Sequence, residues 1–296
     1  MAHTVLENLK AEAARIQKLS IDLRDKSSIR RWHDSRTASF IWMSGDFSWN
    51  TLDEAGRQVQ ANLLGEYRRF YSTIRVLLRE HPDDTLQKMQ EADGLILEFI
   101  QQNQTLFSDN RETHFARADG ALTSMICLLD GLYGQSDERL MLVPDTNALI
   151  FNPAIEKWAF AGAPQFSIVF TSPVLSELDG LKINHRVETV RDKAEKVIRQ
   201  LKEYRRRAEA SGKRLVDGVD LVSGTSQVIT LATEPRMQDS LPWLDPNNKD
   251  DQLLANVIEV MRTRPRSPVW LVTRDINLQN KAEYANVPFV EPPDPI

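Results

Sequence analysis

An apolar run that halts at an acidic turn constrains this chain more than any other feature. In Leu142-Val-Pro-Asp-Thr-Asn-Ala-Leu-Ile-Phe151, Asp145 and Asn147 stand where the run ends and a turn begins. In an α/β fold, ligands gather outside the carboxyl ends of the strands. A carboxylate at that point faces a crevice instead of the core. Taken alone, Asp145 also suits the cap of a following helix. Three further acidic stations in a similar setting favour the crevice: Glu177, the pair Asp250–Asp251, and Asp275.

Local pattern places each station. Ser167-Ile-Val-Phe-Thr-Ser172 is a short β-branched apolar run, hence a strand, and Pro173 then opens a helix where its missing N–H costs little. Glu177 follows one turn into that helix. Lys249-Asp-Asp-Gln-Leu-Leu-Ala255 begins a second helix, whose apolar positions Leu253, Leu254, Val257, Ile258 and Met261 recur at helical spacing. Acidic residues in a first turn also have a purely structural explanation in the helix dipole. Val269-Trp-Leu-Val-Thr-Arg-Asp275 is a buried-type strand ending in a polar turn, and the last helix starts near Asn277.

Such a set of carboxylates fits metal-assisted phosphodiester hydrolysis. Mg²⁺ and Mn²⁺ take oxygen ligands, and two ions ~4 Å apart serve the attacking and leaving oxygens of a displacement. Without a cation, two carboxylates ~4 Å apart repel by about 4 kcal/mol at an effective dielectric near 20. Zinc is disfavoured, because the five histidines show no ligand spacing and the chain has one cysteine.

Four blocks carry a family resemblance: Val143-Pro-Asp-Thr-Asn147, Val174-Leu-Ser-Glu-Leu-Asp-Gly-Leu-Lys182, Lys249-Asp-Asp-Gln-Leu-Leu-Ala255, and Leu271-Val-Thr-Arg-Asp-Ile-Asn-Leu-Gln-Asn-Lys-Ala282. In order and spacing, residues 140–292 resemble a PIN domain of the larger, RNA-decay type, a metal-dependent nuclease fold. The resemblance implies a three-layer α/β fold with a central, mainly parallel sheet over residues 140–296. It implies catalytic, metal-binding carboxylates at Asp145, Glu177, Asp250 and Asp275, holding one or two Mg²⁺ or Mn²⁺ ions. Asp251 satisfies the same spacing as Asp250; Asp250 is preferred, being the first Asp of an Asp-Asp-x-Leu-Leu block. Asn147 and Thr273 would orient the carboxylates by hydrogen bonds, and Asn277 would bind a metal-associated water. Asp179 faces ~200° away from Glu177 on a helix and is not favoured. The implied activity is cleavage of single-stranded RNA to 5′-phosphate and 3′-hydroxyl ends. A structure-specific DNA nuclease and a catalytically silent module that binds nucleic acid or a partner stay open. A bacterial toxin or defence nuclease is compatible with the chemistry, and so is a cognate inhibitor protein.

The charge is −5 overall but unevenly spread. From Lys182 to Arg214 there are twelve Lys and Arg against five Asp and Glu, a local +7 that leaves −12 for the remainder. Residues 186–210 read as one long helix that buries Val187, Val190, Ala194, Val197, Ile198, Leu201 and Tyr204. Lys193, Arg199, Lys202, Arg206 and Arg207 then project to solvent. Starting directly after the Glu177 block, this helix is expected to rim the crevice and, with Lys182, to track RNA phosphates. A merely solvated face is the alternative. After it come short strands at Leu221–Ser223 and Gln227–Ala232 around Gly224. A long loop follows, with Pro235, Pro242, Pro246 and Trp243, leading into Asp250.

Residues 1–135 differ in kind. Apolar residues at helical spacing mark helices around Val5–Leu23, Val59–Leu77, Leu86–Phe99 and Ala121–Leu129, hence an all-α domain ahead of the α/β one. Gly131–Glu138 reads as the linker. Trp32, Trp42 and Trp49 suit core packing better than a base-stacking platform, and a docking or self-association surface is open. Cys127, within Met125-Ile-Cys-Leu-Leu129, is expected to be buried and inert. The apolar fraction is 41% and the charged fraction 27%, with charges breaking every apolar run. The expectation is therefore a cytoplasmic protein with no membrane partner and no secretory leader.

Overall fold

The computed structural model describes residues 4–31, 47–106, 108–135, 138–232, 234 and 236–295. Trp32, Trp42 and Gly45 lie outside them, as do Thr233 and Pro235. The chain divides into two compact units, Leu9–Gly131, and Leu132–Ile296 together with Met1–Asn8. Among the described residues, no helix is long and apolar enough to cross a membrane.

The helical half comprises α1 (Val5–Lys26), α2 (Glu54–Leu78), α3 (Asp83–Gln101) and α4 (Arg111–Tyr133). Each buries the stripe its apolar spacing dictates: Leu9, Ile16 and Leu23 from α1, Leu63, Tyr67, Phe70, Ile74 and Leu77 from α2, Met89, Ile96 and Phe99 from α3, Leu122, Met125 and Leu129 from α4. Asp53 caps α2 by accepting from the Gly56 N–H at 2.6 Å.

Three expectations need correcting here. This half is not purely helical, because β1 (Ile29–Arg31), β2 (Phe47–Trp49) and β3 (Thr105–Leu106) form a small antiparallel sheet in that order. Strands of two or three residues are too short to show an alternating pattern. Helix α4 also runs on through Gly131 to Tyr133, shortening the expected linker. Cys127 is exposed. It sits two residues from Met125, ~200° round the helix, so the buried face passes it by. Trp49 is buried and meets Phe99 and His114 edge-on, with centroids 6.1 and 5.7 Å away, so it is a core residue.

The second unit is an α/β layer structure around a six-stranded sheet, β4 (Leu140–Pro144), β5 (Phe166–Thr171), β6 (Val219–Val222), β7 (Ser226–Leu231), β8 (Val269–Val272) and β9 (Phe289–Val290). The spatial order is β6-β7-β5-β4-β8-β9, parallel throughout except for the β6–β7 hairpin. Strands β4 and β5 are buried at every position, as expected of parallel strands covered on both faces. Gly224, at φ +73°, makes the hairpin turn. Helices α5 (Thr146–Phe151), α6 (Ser172–Asn184), α7 (Glu188–Ala210), α8 (Lys249–Thr263) and α9 (Ile276–Tyr284) complete the unit. The chain moves from β4 to β5 on one side and later to β8 on the other. The order therefore reverses beside β4, which is where α/β folds open a crevice.

Helix α7 buries Ala194, Val197, Leu201 and Tyr204 as its spacing predicts. Val187 does not join them: it precedes the helix in extended conformation and is exposed. Trp243, in the loop before α8, packs edge-on against Tyr284 at 5.2 Å.

Candidate functional site

At the carboxyl end of β4, Asp145 ends the strand and caps α5. Its Oδ1 accepts from the Ala148 N–H at 2.5 Å. Its Oδ2 accepts from the Thr273 hydroxyl, also at 2.5 Å, although the two residues are 128 positions apart. Parallel pairing of β4 with β8 closes that distance by setting Pro144 beside Val272. Thr273 is fully buried, and its Oγ1 also accepts from the Asp275 N–H at 3.0 Å. Asp275 in turn caps α9, accepting from the N–H groups of Asn277 and Leu278 at 2.8 and 3.3 Å.

Glu177 stands on α6, which follows β5 and carries Pro173 in its first turn. Its Oε2 accepts from the Thr146 hydroxyl at 2.7 Å, and its Oε1 lies 3.9 Å from Lys249 Nζ. Asp250 and Asp251 open α8, whose cap Asn248 accepts from both of their N–H groups. Consecutive helical residues point ~100° apart, and these two part company. Asp250 turns into a cavity that it shares with Asp145 and Glu177. Asp251 is buried, accepting from Lys281 Nζ at 2.7 Å and from the Asp245 N–H at 2.9 Å.

The cavity has a volume of about 400 Å³, and Asn147, Glu234, Lys249 and Asn256 also line it. Burial, then the charges of Asp275 and Asp250, push the Asp145 carboxyl up to about 6 against the pull of its two hydrogen bonds. Burial likewise raises the Asp250 carboxyl, followed by Asp275; Lys281 opposes the rise while Glu177 and Asp251 add to it. Four carboxylates therefore feel one another across a small volume, and Asp250 has no side-chain hydrogen bond or ion pair among the described residues. Among those residues, no three Asp, Glu, His or Cys side chains form a ready ion cage. Asp145 and Asp275 are turned onto helix caps and Glu177 onto Thr146 instead. The donor set is all oxygen, as a hard divalent cation requires.

The residues singled out by sequence divide accordingly. Asp145, Glu177, Asp250 and Asn147 share the cavity, Asp275 acts on it through its charge, and Thr273 supports Asp145 from behind. Asp251 is spent on Lys281 and the preceding loop. The side chain that steadies Glu177 is Thr146, next to Asn147. Asn277 is exposed and meets Asp275 through its backbone N–H. Helix α7 does not rim this cavity: none of Lys182, Arg199, Lys202, Arg206 and Arg207 lines it, whereas Lys249, among the described residues, does. Helix α7 packs against α6, which carries Glu177, yet its basic side chains do not reach the cavity. Glu234 and Asn256 went unnoticed. Asn256 left one trace, a polar residue inside the apolar run Leu253–Met261 of α8.

The family model of the PIN domain matches residues 142–291, half of the chain, and this span runs from within β4 through β9 and holds all four carboxylates. No curated protein matches the chain.

Proposed function

The chain belongs to the PIN-domain family, whose members are generally nucleases, and from that premise we propose a metal-dependent endoribonuclease that hydrolyses the phosphodiester bonds of single-stranded RNA. One observation carries the reading: Asp145, Glu177 and Asp250 share a cavity at the carboxyl edge of a parallel sheet, within the field of Asp275. Keeping these charges together costs stability unless a cation offsets them. Asp145, Glu177, Asp250 and Asp275 would hold one or two Mg²⁺ or Mn²⁺ ions. When bound, such a cation acidifies the attacking water and offsets the charge that gathers on the phosphoryl oxygens.

The protein's own groups do the rest. Thr273 and the Ala148 N–H hold both oxygens of Asp145, fixing its plane, and Thr146 does the same for one oxygen of Glu177. Asp250, with no side-chain partner to leave among the described residues, can reorient toward the reacting centre. Lys249, largely exposed beside Glu177, offers a positive charge to an incoming phosphate. The exposed Asn147 amide on the cavity wall can pair with a ribose 2′-hydroxyl, the group that distinguishes RNA from DNA.

The test is cleavage of end-labelled RNA and DNA strands in Mg²⁺, in Mn²⁺ and in EDTA. Cutting of unpaired RNA to 5′-phosphate ends, abolished by EDTA, is the expected result. Cutting of DNA junctions with RNA spared would replace the proposal with a structure-specific DNA nuclease. Binding without cutting in any metal would leave a silent module.

A further inference from the structure

The nuclease unit has a second concavity of opposite sign. It has a volume of about 620 Å³ and is lined by Arg199, Lys202, Arg206 and Arg207 of α7, with Tyr204 and Leu221 giving an apolar floor. It shares no lining residue with the acidic cavity. Positions 199, 202 and 206 recur at helical spacing, so their charges fall on one face of α7. Two carboxylates also line it, but both are engaged. Glu156 accepts from Gln200 Nε2 at 3.1 Å, and Glu203 pairs loosely with Arg206 and Arg207 at 3.9 and 3.7 Å. Four cations against two carboxylates leave the surface positive. The Arg207 guanidinium lies 5.3 Å from the centroid of the buried Tyr204 ring, a cation–π contact that holds it at this surface.

We propose that this basic concavity anchors the RNA strand by its phosphates at a place separate from the cleavage cavity, so that substrate is held at two points. The inference rests on the nuclease reading above and deepens it. Guanidinium forks match phosphate oxygens in pairs. The size is within the range of about 300–1,000 Å³ found for ligand clefts. The two sites are also within reach of one strand. Thr146 lines the acidic cavity and Glu156 the basic one. Six residues of α5 and a short extended run join them, spanning at most about 25 Å. A very short RNA fills one site only, whereas a longer one fills both.

The experiment compares the wild-type chain with the full-length double variant Arg206→Glu/Arg207→Glu, and with Lys202→Gln as a milder probe. Both probes change exposed side chains. Fluorescence anisotropy in EDTA reads binding of unpaired RNAs of about 4 and about 16 nucleotides, the span of site sizes known for single-strand grooves. The double variant should bind the longer RNA at least tenfold more weakly, with the slope of log K against log salt reduced by roughly 1.4, and Lys202→Gln should reduce it by about 0.7. Binding of the shorter RNA in EDTA, which only the basic concavity can supply, should fall as well, whereas cleavage of the longer RNA in Mg²⁺ should show a KM raised about tenfold with kcat within about twofold of wild type. An unchanged affinity and slope for the longer RNA would overturn the anchor, as would a loss confined to kcat with KM unchanged. A poly-glutamate competitor that displaces the longer RNA as well as unlabelled RNA does would assign the surface to an acidic protein segment and also overturn it. Failure of the nuclease reading would show separately, as a wild-type chain that binds RNA and cuts none.

Discussion

Asp145 is asked to end a strand, start a helix and hold a charge among like charges. Its oxygens accept from Ala148 and Thr273, yet burial and the neighbouring Asp275 and Asp250 still raise its carboxyl from 3.8 to about 6. A folded-state value above the unfolded one means that the group stabilises the fold fully below about pH 4 and loses that contribution as pH rises through about 6. A shift of about two units corresponds to about 3 kcal/mol. Metal-free protein is therefore expected to lose stability in urea titrations between pH 4 and 6, and Mg²⁺ should restore it at neutral pH. Asp145→Asn keeps a capping oxygen and removes the charge. This variant should be as stable as the wild type or more so at pH 7, show a flat pH profile over that window, and cut no RNA. Wild-type cleavage rates from purified Asp145→Asn would remove the metal site from consideration.

At the scale of elements, α8 shows why two adjacent aspartates cannot be exchanged. Asp250 faces the acidic cavity, whereas Asp251 ties α8 to α9 through Lys281 and to the preceding loop through Asp245. Asp250→Ala should abolish cleavage with stability unchanged or raised. Asp251→Ala leaves Lys281, mostly buried, without its partner, and should cost about 3 kcal/mol in thermal or chemical melts. Adding Lys281→Met to Asp251→Ala should recover part of that loss, because the stranded charge goes too. Equal, modest effects of the two aspartate substitutions on cleavage would show that neither approaches the reacting phosphate. The strand ends and first helical turns that carry these residues were legible in the chain, because unbroken apolar runs mark the buried strands and a period of 3.6 marks the helices. Thr146, Lys249 and Glu234 were not, since their roles depend on which loops close over the sheet. The same limit misplaced α7, whose charge was plain but whose neighbour was not, and Cys127, where a run of apolar letters hid the helix face that turns outward.

On the scale of the molecule, a net charge of −5 conceals two concavities of opposite sign in one unit, so the sum says little about what the protein binds. The sheet order has a further bearing. Strand β4, early in the unit, lies between β5 and β8, and β8 is made about 125 residues after it. A chain cut after residue 268 keeps Asp145, Glu177 and Asp250 but lacks β8, Thr273 and Asp275, and β4 then presents a bare edge. Such a truncation should show no cleavage in Mg²⁺ and should aggregate, as size-exclusion chromatography would report; an active, monodisperse fragment would contradict the pairing. Applied to translation, the same order delays competence. A ribosome releases β4 long before β8, so the growing polypeptide is expected to stay inert toward the message being read until β8 and Asp275 emerge.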